Sequence, residues 1–124
     1  MVNAMRPLRG FTLIEMLVVL AVLALLLSLV APSYFGHVDR ARELTLRQDL
    51  KTMRDAIDKF AADRGRDPHD LDELVAARYL REIPVDPVTD SAATWVPLQV
   101  DGAMHDLHSG ARGTAQDGTP YASW

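Results

Sequence analysis

The sequence contains no cysteine, which excludes disulfide frameworks, thiolate-bound zinc and thiol catalysis. Aromatic residues make up only 6%, so Trp95, Tyr121 and Trp124 are expected to anchor a small core rather than bind a ligand. There is no excess of base. The 13 Lys and Arg stand against 17 Asp and Glu, for a net charge of −4, whereas a nucleic-acid binder presents a basic face to phosphate. At 124 residues the chain has room for one modest domain, not for separate cofactor and substrate domains. No internal repeat or low-complexity linker is visible, and no Ser, His and acid arrangement sits in a nucleophile elbow.

What the sequence does have is one long apolar run. Residues 11–31, FTLIEMLVVLAVLALLLSLVA, carry only Thr12, Glu15 and Ser28 as polar residues. As a helix rising ~1.5 Å per residue, the run spans about 30 Å, a bilayer's hydrocarbon thickness. Arg6 and Arg9 precede it and no base follows until Arg40, which predicts a cytoplasmic N-terminus and a chain continuing on the far side. A cleaved secretory signal has a shorter apolar core, and Leu29-Val30-Ala31 is a weak cleavage site. A plain signal anchor fits the length but gives no reason for Glu15, since a carboxylate in lipid is costly and needs a partner.

Arg9-Gly10-Phe11-Thr12-Leu13-Ile14-Glu15 ahead of an apolar run resembles the class III signal of type IV pilins and pseudopilins. The resemblance implies cleavage between Gly10 and Phe11 by prepilin peptidase, N-methylation of Phe11, and pairing of Glu15 with the α-amino group of Phe11 in a neighbouring subunit. Two charges that are each costly in lipid become tolerable once paired.

Past the run, Pro32 can kink a helix or mark the membrane exit, and continued helical patterning favours an unbroken helix. Leu46, Leu50, Met53, Ile57 and Phe60 recur at steps of four and three, one apolar helix face. Lys51/Asp55, Arg54/Asp58 and Asp55/Lys59 are spaced for i,i+4 ion pairs on a solvated face. Gly65 and Pro68 predict the helix end near residue 64. Residues 70–77 suit a short helix, and Tyr79 to Pro87 an irregular segment stiffened by two prolines. Trp95 to Val100 reads as a strand that Pro97 confines to an edge, Asp101-Gly102 as a hairpin turn, and Ala103 to His108 as the returning strand.

Gly65-Arg66-x-Pro68, Leu71-x-x-Leu74, Tyr79-Leu80-x-x-Ile83-Pro84-x-Asp86-Pro87 and Asp106-Leu107-x-Ser109 resemble the major (G-type) pseudopilins of type II secretion systems. The implied fold is α+β and pilin-like: a long N-terminal helix, its first half transmembrane, packed on a small antiparallel β-sheet. Four segments follow: a cytoplasmic leader, residues 1–10, which is removed; a transmembrane half, 11–31; an amphipathic periplasmic half, 32–64; and a small C-terminal region, 65–124. The implied function is a non-enzymatic subunit of a periplasmic filament that drives protein secretion. It would be held in the bacterial inner membrane by a single pass, N-terminus cytoplasmic and C-terminal region periplasmic. Its implied partners are further copies, other pseudopilins, prepilin peptidase, the inner-membrane assembly platform and membrane lipid. Alternatives are a type IV pilus subunit (a minor pilin) and a monomeric signal-anchored periplasmic adaptor.

The G-type branch holds calcium in its C-terminal loop. Here Arg112 stands where the first loop aspartate is expected, and Thr119-Pro120 where an acidic pair is usual. Calcium takes six to eight oxygens, and after Ser109 the only carboxylate is Asp117. The expectation is therefore no metal, with Asp106 and Asp117 as weak candidates for calcium. His105 and His108 would face opposite sides of a strand, and His37 and His69 are isolated from other ligand types.

Overall fold

A computed structural model of the chain describes residues 10–124; Arg6, Arg9 and the rest of the expected leader before Gly10 lie outside the described residues. The elements, in order, are α1 (Leu13–Arg64), α2 (Leu71–Ala76), β1 (Trp95–Val100), β2 (Ala103–Ser109) and a 3₁₀ turn (Tyr121–Ser123). The chain divides into two compact units, one ending at His37 and one running from Val38 to Trp124.

The first unit contributes the apolar part of α1. Pro32 sits inside the helix without ending it, at the cost of the hydrogen bond its missing N–H would give. Every residue from Gly10 to His37 is exposed except the half-buried Ala31. Among the described residues, α1 alone is long and apolar enough to cross a membrane, with an 18-residue window of mean hydropathy 2.9 and none of it buried.

The second unit holds the core. All five residues of the apolar stripe, Leu46, Leu50, Met53, Ile57 and Phe60, are buried. They pack with Leu74, Leu80, Trp95, Met104 and Leu107, so this part of α1 lies against a two-stranded antiparallel sheet. Gly65 ends the helix at φ 70°, its N–H bonding the Ala61 carbonyl at 2.9 Å. Asp70 caps α2 by accepting from the Glu73 N–H at 2.8 Å. Asp101 and Gly102 both have positive φ, the twist-matched turn expected of a two-residue hairpin.

β2 departs from simple alternation. Leu98 pairs with Asp106 but Gln99 with Met104, so His105 is an extra, bulged residue. The bulge resets the phase and puts Met104, Leu107 and Ser109 all on the buried side. It also removes the strict alternation on which the expected opposition of His105 and His108 rests. The two rings have separate partners: His105 Nδ1 meets Asp67 at 2.9 Å and His108 Nδ1 meets the Ser109 carbonyl at 2.9 Å.

Asp86 is fully buried beside Ser109. Its carboxylate accepts from the Ser109 hydroxyl and from the N–H groups of Val88 at 2.8 Å and Thr89 at 3.3 Å. Burying a carboxylate without such donors would be costly. On α1, burial first and then the Asp86 charge push the Asp49 carboxyl up.

Candidate functional site

Two places bear on function: the start of α1 and the C-terminal loop. At the start, a Cβ added at Gly10 would meet no described atom within 4 Å, and Phe11 is 80% exposed. Glycine at this junction leaves the following peptide bond unobstructed by a side chain. Thr12 and Glu15 then cap the helix reciprocally. The Thr12 hydroxyl accepts from the Glu15 N–H at 3.1 Å, and a Glu15 carboxylate oxygen lies 3.5 Å from the Thr12 N–H. This is a capping box, readable from its Thr-x-x-Glu spacing and missed in the sequence reading, where Glu15 had no partner within its own chain. The contact from Glu15 is long, so its carboxylate is only loosely held.

The C-terminal loop is fastened to α1 by side chains. Arg54 donates through Nε to Asp106 at 2.8 Å, and through Nη2 to the Leu107 carbonyl at 2.9 Å and a main-chain oxygen of Trp124 at 2.6 Å. Arg54 thus joins α1, β2 and the end of the loop, rather than pairing with Asp58 along the helix as its spacing suggested. Arg47 meets Asp117 at 3.4 Å and lies 4.0 Å above the Trp124 ring. Glu43 accepts from the Gln116 N–H at 2.8 Å and from the Tyr121 hydroxyl at 3.2 Å. Gly110 lets the loop pass Thr94, whose carbonyl oxygen would lie 2.2 Å from any added Cβ.

The two weak calcium candidates are both engaged by these contacts. Burial alone would raise the Asp106 carboxyl, but hydrogen bonds from Arg54 and the Leu107 N–H outweigh it and hold it below the ordinary carboxylate value. Asp117 is likewise held low, first by the Thr119 hydroxyl and N–H, at 2.6 and 2.9 Å. Among the described residues, no group of three or more His, Asp and Glu side chains could hold a metal ion. Trp95 lies in the core, with Tyr121 and Trp124 packed against it, in the anchoring role expected of them.

Known proteins agree with this layout. Residues 5–31 match the prokaryotic N-terminal methylation motif. The chain is 33% identical to the type II secretion system core protein G of Klebsiella pneumoniae, over 94% of each chain. The chain belongs to the core protein G family. Its relatives of the same description include those of Pseudomonas aeruginosa, 32% identical over 63% of this chain and 66% of the relative, and Escherichia coli, 30% identical over 64% and 66%. No solved structure matches. Membership sets the frame in which Gly10, Phe11 and Glu15 are read.

Proposed function

We propose that this chain is a pseudopilin subunit that is cut between Gly10 and Phe11, methylated at Phe11, and polymerised through its apolar helix into a periplasmic filament serving type II secretion. The observation that carries the reading is a bare apolar helix, Leu13 onward, that opens with a loosely capped carboxylate one turn beyond an unobstructed Gly10-Phe11 bond. In lipid such a helix is content alone, but its carboxylate is not. Pairing Glu15 with the freed α-amino group of Phe11 in a neighbour offsets both desolvation costs and draws subunits together.

In this reading the chain is the substrate of an enzyme, prepilin peptidase, and performs no catalysis itself. It sits in the inner membrane by one pass with residues 32–124 periplasmic, and its partners are further copies, other pseudopilins and the assembly platform. N-terminal mass analysis of membrane-extracted protein tests it. The expected mature start is methylated Phe11, and Gly10→Leu is expected to block maturation. A native start at Met1, or near Pro32, would overturn the reading.

A further inference from the structure

The second unit carries a hole and a knob of matching chemistry on different surfaces. The hole is a cleft of about 200 Å³ walled by Leu71, Ile83, Trp95 and Met104, with Asp70 and Asp72 lining its edge. The Trp95 indole N–H is already given to the Pro84 carbonyl at 2.8 Å, so what Trp95 offers the cleft is apolar. Asp70 is occupied as the α2 cap; Asp72 is exposed, and no described residue bonds its carboxylate. An apolar cleft with an acidic edge fits an apolar side chain with a cation beside it.

The knob lies on α1. Leu44 is 63% exposed in a stretch otherwise charged or small, and Arg40 stands one turn before it on the same face. Among the described residues Arg40 has no ion-pair partner, whereas Arg47, the next base along that face, is engaged by Asp117.

We propose that Leu44 and Arg40 of one copy seat in this cleft of the next, Leu44 against Trp95 and Arg40 against Asp72. Knob and hole are different surfaces of one chain, so the contact is head-to-tail, the kind that propagates as an open filament when its rotation does not close a ring. The inference rests on the polymer reading above and adds to it a contact between the folded regions, distinct from the Glu15 pairing in the membrane.

The absence of native cysteine makes the test direct. A full-length Leu44→Cys/Ala93→Cys variant, expressed in membranes, places one thiol on the knob and one at the cleft edge, both at exposed positions. Mild oxidation is expected to give a ladder of dimers, trimers and longer species that neither single variant gives. Adding Asp72→Arg should weaken the ladder roughly fivefold, the effect of about 1 kcal/mol, and Arg40→Asp in the same chain should restore it. A dimer from Leu44→Cys alone would overturn the proposal, because the knob would then meet its own symmetry mate. A ladder indifferent to Asp72→Arg would also overturn it, sending Arg40 to another anion such as a lipid headgroup. Filaments that sediment normally but give no ladder would remove this contact and leave the polymer reading standing; no sedimenting filament from the unaltered chain would remove both.

Discussion

The stretch from Gly10 to His37 and the stretch from Val38 to Trp124 draw their stability from different sources. In the first, one half-buried alanine is the only residue not exposed, and the apolar side chains are left for lipid or another apolar helix to cover. In the second, α1 spends its apolar face on its own chain, against Leu74, Trp95, Met104 and Leu107. In the proposed reading one helix serves as an assembly element at one end, while at the other it is the spine of a domain. The two jobs should be separable by mutation.

The largest expected effect is on assembly. Glu15→Ala removes a costly carboxylate from the apolar run, so insertion becomes easier, yet filament formation is expected to fall to background while the thermal midpoint of the Val38–Trp124 region stays unchanged. Glu15→Gln divides the two roles of this residue. It keeps a side-chain acceptor for the Thr12 N–H but loses the charge. Sedimentation of extracted filaments should place Gln with Ala if charge pairing drives assembly, and with wild type if the cap is what matters.

The converse break is in the core. Phe60 is fully buried and meets Tyr79 edge-to-face at a centroid distance of 5.4 Å. Phe60→Ala is expected to cost ~3–5 kcal/mol of domain stability, lowering the thermal midpoint by more than ~10 °C in a domain of this size. Cleavage at Gly10-Phe11 should proceed as before. Loss of processing in this variant would mean that the two regions are not independent.

The same division governs what could be read from the sequence. The buried stripe from Leu46 to Phe60 was legible because a 3.6-residue period needs no knowledge of the partner, and the Gly65 stop and Asp101-Gly102 turn because they are backbone requirements. Arg54 was not legible. Its spacing to Asp58 suggested a helix-surface pair, whereas its actual partners lie more than fifty residues away, and spacing along one helix carries no information about them. The bulge at His105 was hidden for the same reason, although two buried apolar residues three apart, Met104 and Leu107, are awkward for a regular strand and could have signalled it. Asp86 read as part of a proline-stiffened segment and of the G-type resemblance, not as a buried carboxylate; an Asp followed by Pro at the start of a turn could have been recognised as a carboxylate that binds its own backbone.

A smaller effect is expected at the loop fastening. Arg54→Met keeps much of the stem packing but removes donors to Asp106, Leu107 and Trp124. Hydrogen bonds to charged groups contribute ~1.5–3 kcal/mol, less where solvent screens them, and the Arg54 and Asp106 side chains are 35% and 44% exposed. A loss of ~1–3 kcal/mol is expected, read as a drop in thermal midpoint. Because Asp106 and Asp117 are held by protein donors, the wild-type midpoint is expected to be the same in millimolar calcium and in excess chelator. Calcium binding at a hundredfold excess over Kd would instead add ~2.7 kcal/mol. A calcium-dependent rise of that size would show that the loop completes an ion site around Asp117.

The smallest effect separates two surface ion pairs by pH. Glu73 accepts from Arg66, and from the His69 N–H at 2.6 Å, and these bonds, the Arg66 one first, bring its carboxyl down to about 2. A lowered carboxyl contributes stability that is complete above its unfolded value and is lost as pH falls through the folded value. That loss therefore runs from roughly pH 4.5 toward 2. His105 is raised, first by its hydrogen bond to Asp67 and then by that residue's charge. Its contribution is complete below the ordinary histidine value of about 6.5 and fades as pH rises through the elevated folded value. Both pairs are solvent-facing, so both slopes should shrink in high salt. Thermal midpoints of the Val38–Trp124 region across pH should show His105→Gln flattening only the neutral-to-alkaline slope and Glu73→Gln only the acid one. If His105→Gln altered the acid limb instead, the Asp67–His105 contact would not be the group titrating near neutrality.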